Sequence, residues 1–224
     1  MKCFAPWHSI LVRFNGDIVP DGVYLKRYGN VLQTPLNDLL NSYTASHTRD
    51  SIRSGVLPPE CEQCALKEAS VGHSRRKFFK DILNPMLENT NYSYTKTFND
   101  IMFLEFNMSN ICNLKCRMCN GISSSAWVKD ELKLAKMNKD FQRPVDNPEF
   151  GYTNKSEQII ERLFEDPTPF KNLRYLSIKG GEPYMEPANK TILKKFIDLG
   201  VAKHVTLDWT TNAVSYTHLT LPTS

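Results

Sequence analysis

The alternation of strand-like and helix-like segments after residue 96 is the feature that most constrains the fold. Short apolar segments typical of buried strands occupy residues 101–106, 173–178 and 205–209. Segments with helical spacing of apolar residues lie between them, at 124–136, 156–165 and 188–199. Because a strand reached through a crossover helix pairs in parallel with an earlier strand, this order predicts an α/β fold with a parallel sheet and about three β/α units.

The first 95 residues are organised differently. The turn dipeptide Asn15-Gly16 between two apolar segments predicts a β-hairpin over 9–19. Apolar residues at helical spacing predict one helix over 35–53 and a second over 68–87. We therefore expect a small α+β unit in front of the α/β part.

Polar segments mark the predicted boundaries. The tract 88–97, rich in Asn, Ser, Thr and Tyr, is typical of a linker, so we predict one domain at 1–95 and the first half of a second at 96–213. A further polar segment, 136–154, is predicted to be a surface insertion after the first helix of the second domain.

The last eleven residues, VSYTHLTLPTS, do not continue this pattern. All but the final Ser224 resemble the in-frame translation of a transposase adaptor used in shotgun sequencing, so 214–224 is left out of the fold prediction. On this interpretation the natural sequence breaks off near Ala213, and the predicted strands begin a longer sheet. The alternative is a genuine short C-terminal strand.

Charge and hydropathy exclude several classes of protein. The 28 basic and 24 acidic residues give a net charge of +4 and are spread evenly, which argues against nucleic acid or a membrane surface as the main partner. No apolar run approaches the roughly 20 residues of a transmembrane helix, and the first ten residues lack the apolar stretch of a signal peptide. We therefore expect a cytoplasmic protein, whose six cysteines bind metal or do chemistry rather than form disulfides.

Three of the cysteines, Cys112, Cys116 and Cys119, form a C-x3-C-x2-C triplet directly after the first predicted strand of the second domain. Thiolates this close in the chain would surround a single metal centre. A structural zinc site takes four protein ligands, whereas a cubane iron–sulfur cluster held by three cysteines leaves one iron open to another ligand. The triplet therefore favours a cluster whose fourth iron is the functional site.

Two other loops follow predicted strands. Gly180-Gly181-Glu182-Pro183 comes after the second strand; its glycines allow a close backbone approach to a ligand, and its carboxylate can accept hydrogen bonds from an ammonium group. Thr211 and Asn212 come after the third strand. Because the carboxyl ends of parallel strands lie at one edge, we expect the three loops to meet there.

With these three loops the chain resembles the radical S-adenosylmethionine (SAM) superfamily, whose triplet carries a hydrophobic residue before the third cysteine, here Met118. The resemblance implies a [4Fe-4S] cluster on Cys112, Cys116 and Cys119, with SAM bound to the open iron through its amino and carboxylate groups. One electron would cleave SAM to methionine and a 5′-deoxyadenosyl radical that abstracts hydrogen from substrate. The implied fold is an incomplete (β/α)6 partial TIM barrel.

The same resemblance implies cofactor contacts and partners. The glycine motif would contact the amino group of SAM, and relatives often have a Thr-Asn pair near the active site. The implied SAM-binding residues are Met118, Gly180, Gly181, Glu182, Pro183, Thr211 and Asn212. A reductant such as flavodoxin or ferredoxin is implied as electron donor, and a peptide or protein substrate is expected by analogy. No catalytic residue is assigned.

The remaining cysteines are Cys3, Cys61 and Cys64. The C-E-Q-C pair by itself supports a zinc, redox or cluster site equally. Cys3, Gly16 and Asp21 resemble the C-x(9–15)-G-x4-C element of SPASM and twitch domains, which bind auxiliary [4Fe-4S] clusters in radical SAM enzymes. The chain thus resembles the family that carries a twitch domain in front of the barrel. The implied ligands of the auxiliary cluster are Cys3, Asp21, Cys61 and Cys64.

Asp21 departs from this pattern, because a cysteine is expected at its position. A carboxylate is a harder and less usual donor to an iron–sulfur cluster than a thiolate. Three outcomes stay open: a cluster with Asp21 as fourth ligand, a cluster with an open iron, and a zinc or empty site.

The rival to an enzyme is a non-catalytic, zinc-stabilised binding module, in which both cysteine groups are structural and a basic helix contacts a partner. The basic residues are Arg75, Arg76, Lys77 and Lys80. Such a run could contact a phosphate or an acidic partner, but we interpret it as a solvated helix face.

Overall fold

The computed structural model describes residues 3–24, 26–87, 94–98, 100–143, 146 and 155–214. Its strands are β1 (Ser9–Arg13), β2 (Asp17–Val19), β3 (Gly29–Asn30), β4 (Phe103–Asn107), β5 (Tyr175–Lys179) and β6 (Thr206–Trp209). They form one mixed sheet in the order β3-β2-β1-β4-β5-β6. The fold is therefore of the mixed α/β class.

Helices flank the strands in both halves of the chain. Within the described residues the α-helices are α1 (Ala5–His8), α2 (Leu36–Leu40), α3 (Tyr43–Arg53), α4 (Glu62–Val71), α5 (Arg75–Leu87), α6 (Val128–Met137), α7 (Ser156–Leu163) and α8 (Pro187–Asp198). In the part of the chain that the structure describes, no helix is both long and apolar enough to cross a bilayer. Most of the predicted linker 88–97 and insertion 136–154, and the tail after Val214, lie outside the described residues.

The single helix predicted over 35–53 is wrong, because the structure has two. Helix α2 ends before Asn41, and Ser42 then begins α3 as its N-cap, accepting a hydrogen bond from the Ala45 amide at 3.3 Å. A serine hydroxyl satisfies an amide that the first turn of a helix leaves unpaired, so a new helix starts there. The apolar spacing continues across the break because both helices face the same core.

The helix predicted over 68–87 is also divided. Helix α4 begins earlier, at Glu62, and ends at Gly72, whose φ of +72° is the left-handed conformation that closes many helices. Helix α5 then starts after Ser74, whose hydroxyl accepts from the Lys77 amide at 3.1 Å. The break turns α5 back onto the sheet, where Phe79 and Leu83 pack beneath β4.

The predicted strand pairing is confirmed for the N-terminal hairpin and for the strands that are connected through helices. β1 and β2 form the antiparallel hairpin, with Leu11 opposite Val19. β4, β5 and β6 are parallel neighbours, as the strand–helix alternation predicts. A pairing that the sequence did not predict joins the two halves: β1 is parallel to β4, with Val12 opposite Phe106. The sheet is therefore continuous across the predicted boundary near residue 95, and the division into domains stays a prediction.

The two faces of the sheet differ in character, because successive side chains of a strand point to opposite faces. One face carries Leu104, Phe106 and Ile178 and packs in the main core with helices α7 and α8. The other face carries Phe103 and is covered by α5. The helices thus hold the sheet from both sides and leave its carboxyl edge to the loops.

Phe103 is the centre of an aromatic cluster on the second face. Its ring stacks on Tyr175 with centroids 4.9 Å apart and meets Phe79 edge-on at 4.9 Å. Phe103 is buried, so the cluster joins β4, β5 and α5. Aromatic pairs in these geometries add stability beyond the area they bury.

We predict that Phe103→Ala destabilises the chain by about 3–5 kcal/mol, because the cavity removes contacts to both aromatic neighbours. Urea denaturation followed by circular dichroism measures the change. Val71→Ala, at a side chain 73% exposed on α4, is the control and should change the unfolding free energy by less than about 0.5 kcal/mol. Equal effects of the two substitutions would mean that α5 does not pack on β4 as described.

Candidate functional site

The cysteine triplet lies on a loop that follows β4 and is held by residues in front of α6. The loop turns at Cys116, whose carbonyl oxygen accepts from the Cys119 amide at 3.0 Å and from the Trp127 indole at 3.1 Å. The Ser124 hydroxyl donates to the Leu114 carbonyl at 2.6 Å. Trp127 and Ser124, which the sequence analysis did not single out, therefore fix the backbone that carries the thiols.

The three thiols of this loop are near one another and accessible. Cys116 is exposed, and Cys112 and Cys119 are partly exposed. Burial raises the pKa of Cys119, and the neighbouring Cys116 and Cys112 raise it further, since thiolates at this range repel. A positively charged metal centre would relieve that repulsion. The three thiols are therefore a donor set that fits an iron–sulfur cluster, which the sequence predicts for this loop.

The glycine motif packs directly on the backbone that leads into the cysteine loop. Gly180 has a φ of +124°, and a Cβ there would lie 2.6 Å from the Ser109 carbonyl oxygen. A Cβ at Gly181 would overlap the carbonyl oxygen of Ile111. Main-chain hydrogen bonds close the contact, from Gly181 to Ser109 at 2.9 Å and from Glu182 to Ile111 at 2.6 Å. The close approach that the two glycines allow is thus between two loops of the chain.

Glu182 joins the glycine motif to the loop after β6. Its carboxylate is buried and accepts from the Thr211 hydroxyl at 2.7 Å, the Asn212 amide at 2.8 Å and the Tyr184 amide at 3.2 Å. Pro183, also buried, starts the 3-10 turn that follows. A carboxylate accepts about four hydrogen bonds, so three chain donors occupy most of its capacity. A contact between Glu182 and the amino group of SAM stays a prediction.

Asn212 completes the convergence of the three loops. Its side-chain amide lies 3.8 Å from Cys112 Sγ, within hydrogen-bond range for sulfur, and donates to Asn113 Oδ1 at 2.9 Å. The loops after β4, β5 and β6 therefore meet at one edge of the sheet, as expected for parallel strands. Met118 is 94% exposed beside the third cysteine, so its apolar side chain is open to a ligand or to solvent.

The four candidate ligands of the N-terminal site line one cavity. They are Cys3, Asp21, Cys61 and Cys64. Cys3 comes directly before α1, Asp21 follows β2, and the other two lie at the start of α4, so three separate elements bring them together. The fold therefore brings together four residues that are distant in the sequence, and their role as ligands stays a prediction.

Burial dominates the acid–base properties of this cavity. It raises the pKa of Cys61 to about 12, and it raises the pKa of Cys3 and of Asp21 above their ordinary values. Asp21 Oδ1 accepts a hydrogen bond from the Val23 amide at 2.6 Å, which favours the carboxylate but does not offset burial. Since metals bind thiolates, a metal centre here would supply positive charge that stabilises the ionised forms of these ligands.

Within the described residues, no three Cys, His, Asp or Glu side chains converge at the distances of a single metal ion. That geometry differs from the geometry of a cubane, which attaches each ligand to a different iron and so spaces its ligands more widely. All six cysteines are free thiols in the structure.

The interpretation of the basic run as a solvated helix face is wrong for two of its members. The Arg76 guanidinium makes a two-pronged ion pair with Glu68, and its side chain is 16% exposed. Arg75 donates to Glu105 Oε2 at 3.3 Å and lies over the rings of Phe78 and Phe79. Sequence spacing gave no signal for these pairs, because the break before α5 and the sheet bring the partners together.

The N-terminal region also matches a known family. The model of SPASM, an iron–sulfur cluster-binding domain, matches residues 3–65, which is 63 of the 224 residues. The match includes Cys3, Asp21, Cys61 and Cys64 and ends before Cys112. Searches of curated proteins and of solved structures gave no significant match. The prediction of iron–sulfur cluster binding is thus supported for the N-terminal region.

We predict that Gly181→Ala destabilises the chain by about 1–3 kcal/mol, because the added methyl group must displace the backbone of the cysteine loop. Urea denaturation of the chain measures the effect. In the control Gly22→Ala, the new Cβ meets only Glu105 Oε1 at 3.7 Å, so less than about 0.5 kcal/mol is expected. A neutral Gly181→Ala would show that the two loops do not pack closely.

The ion pair between Glu68 and Arg76 predicts a pH dependence. Hydrogen bonds from Arg76 are the main cause that lowers the pKa of Glu68 from 4.5 to about 2. The folded-state pKa is depressed, so the contribution to stability is complete above about pH 4.5 and is lost as the pH falls through about 2. The difference in unfolding free energy between the chain and Glu68→Gln should therefore shrink over this range. A difference that is constant with pH would contradict the pair.

Proposed function

We propose that this chain belongs to a radical SAM enzyme with two iron–sulfur clusters. The observation that carries the proposal is the meeting of three loops at one edge of the sheet. There the side chain of Asn212 contacts Cys112, and its backbone amide donates a hydrogen bond to Glu182. The SPASM match at 3–65 supports it independently, because such domains accompany radical SAM enzymes.

The cysteine triplet would hold the SAM-cleaving cluster. Cys112, Cys116 and Cys119 supply three thiolates to a [4Fe-4S] cluster, and its fourth iron takes SAM. When bound, the cluster and SAM supply a one-electron cleavage that yields methionine and a 5′-deoxyadenosyl radical. The protein contributes ligation and orientation, together with exclusion of water.

The chain's own residues have defined roles at this site. The side-chain amide of Asn212, 3.8 Å from Cys112 Sγ, would donate to this ligand sulfur and so stabilise negative charge on it. Glu182 holds the Asn212 backbone, which keeps that amide in position. Met118 offers an apolar surface beside the third thiolate. The glycine pair lets the motif lie against the cysteine loop, where its backbone can face SAM.

We extend the proposal to the fold. Strands β4, β5 and β6 would be the first three of an incomplete (β/α)6 barrel, with the candidate site at its carboxyl edge. The second face of the sheet, with Glu105 and Ser177 side by side on neighbouring strands, would line the barrel interior. Toward the carboxyl edge this face is polar, whereas the aromatic cluster around Phe103 fills its other end. We propose a peptide or protein as the substrate class, by analogy with enzymes that carry SPASM domains.

The N-terminal cavity would hold the auxiliary cluster. Cys3, Cys61 and Cys64 supply three thiolates, and Asp21 is the fourth donor on the same wall. The Val23 amide orients the Asp21 carboxylate, which would be a donor to iron. Electrons would come from a reductant such as flavodoxin or ferredoxin.

Anaerobic reconstitution tests both sites by iron content. We expect about eight irons in the unaltered chain and about four in the Cys112/Cys116/Cys119→Ala variant. The matched Cys3/Cys61/Cys64→Ala variant should also retain about four. Four irons in the unaltered chain and none in the first variant would remove the auxiliary cluster from the proposal.

SAM cleavage tests the enzyme assignment. With a low-potential reductant the reconstituted chain should convert SAM to 5′-deoxyadenosine, and the Cys112/Cys116/Cys119→Ala variant should not. Chromatography of the quenched reaction measures the product. A chain that binds only zinc would favour the zinc-stabilised binding module, and one that binds iron yet forms no 5′-deoxyadenosine would overturn the enzyme assignment.

A further inference from the structure

Arg76 lines the same cavity as the four candidate ligands, although it lies outside the SPASM match. It stands in the first turn of α5, which begins after the break at Gly72. No feature of the sequence assigns it to the metal site. Its position therefore calls for an explanation beyond the packing of α4 against α5.

The guanidinium of Arg76 is oriented by Glu68. Its Nε donates to Glu68 Oε1 at 2.9 Å, and its Nη2 donates to Glu68 Oε2. Such a two-pronged pair fixes the plane of the guanidinium, which a single contact does not. The pair is mostly buried, with side chains 16% and 17% exposed.

One donor of this oriented group has no acceptor. Arg76 Nη1 is buried and has no hydrogen-bond partner within the described residues. An unpaired buried donor on a cation is costly, so such groups are usually satisfied by a ligand, an ion or water. Because Arg76 lines the cavity of the candidate ligands, a group bound in that cavity would be an acceptor for this donor.

The side chain of Arg76 lies in the wall of the same cavity as the three thiols, which belong to Cys3, Cys61 and Cys64. The acidic groups of the cavity wall are Asp21 and Glu60, and Glu60 is paired with Lys26 at 3.7 Å. Arg76 is thus the cation among the residues that line this cavity.

We propose that Arg76 is a positioning residue of the auxiliary cluster: Nη1 donates a hydrogen bond to a sulfur of the cluster or of a ligand cysteine, and the guanidinium charge raises the reduction potential. This inference rests on the proposed auxiliary cluster. Hydrogen bonds to sulfur and the net charge around a cluster are the protein's means of setting its potential. Glu68 acts through Arg76 by holding its orientation.

The electron balance gives the direction of the effect. One electron from the reductant adds one negative charge to the cluster, and no bond or proton changes. A fixed cation near the sulfurs stabilises the reduced form more than the oxidised form, so its removal makes reduction harder. A purely structural clamp between α4 and α5 would have no such signed effect.

The test uses the Cys112/Cys116/Cys119→Ala chain, in which only the auxiliary cluster can titrate. Potentiometric titration with EPR detection measures its potential in this background and in the Arg76→Met, Arg76→Lys and Glu68→Gln variants. Arg162→Met is the matched control, because Arg162 on α7 also pairs with a glutamate, Glu165, but is not among the residues that line the cavity. Iron content of each variant is measured first.

We expect Arg76→Met to lower the ratio of reduced to oxidised cluster at a fixed potential about tenfold, which is about 59 mV for one electron. Arg76→Lys keeps the charge and loses the planar guanidinium, so it should shift the potential less but change the EPR spectrum. Glu68→Gln keeps one side-chain oxygen that accepts from Arg76 and removes a negative charge, so it should leave the potential unchanged or higher. Arg162→Met should change nothing.

Several results would overturn the inference. An iron-loaded Arg76→Met variant with an unchanged potential refutes it, as does an equal fall in Arg76→Met and Glu68→Gln, which a clamp alone explains. If Arg76→Met loses iron, the Arg76→Lys variant is used instead. A potential and an EPR spectrum of Arg76→Lys that are unchanged from the parent would refute the hydrogen bond from Arg76. A parent background that binds no iron refutes the auxiliary cluster itself, and the role of Arg76 falls with it.

Discussion

The contact on which the candidate site depends is the packing of two glycines against the backbone of a neighbouring loop. Gly180 and Gly181 lie so close to the Ser109–Ile111 segment that a Cβ at either would overlap a carbonyl oxygen. Two loops that touch through their main chains have few alternative arrangements, since no side chain can adjust between them. Glu182 then extends the contact to the loop after β6. The spacing of Cys112 from the glycine motif is therefore set by backbone geometry.

The N-terminal cavity is built on a different principle. Its four candidate ligands come from three elements and meet around a partly buried space, where burial and not loop contact determines their chemistry. Burial favours neutral thiols there until a metal centre binds. The cysteine triplet, in contrast, is local in sequence, and Cys116 is exposed. A local, accessible triplet suits a cluster that must admit a small molecule, whereas an enclosed site suits one that only exchanges electrons.

The sequence was informative where the signal was local. The Asn15-Gly16 hairpin, the parallel strands and the meeting of the three loops follow from turn chemistry and from strand–helix alternation. The pairing of β1 with β4 did not, because it joins residues about ninety positions apart without a pattern of its own. The breaks between α2 and α3 and between α4 and α5 were not predicted, because the helical spacing of apolar residues continues across the residues that cap the helices. The ion pair of Arg76 with Glu68 was missed because its geometry exists only once the break has formed.

Glu105 links the start of α5, which carries Arg76, to the end of β5, which leads into the glycine motif. It is a buried carboxylate on β4, and its Oε2 accepts from Arg75 at 3.3 Å and from Lys179 at 3.0 Å. Lys179 directly precedes Gly180, while Arg75 is the neighbour of Arg76 on α5. A buried carboxylate that lost either cation would keep a desolvation cost without its compensation, so each side stabilises the position of the other. The wall of the N-terminal cavity and the glycine motif are thereby connected through one side chain, across the boundary that composition alone suggested.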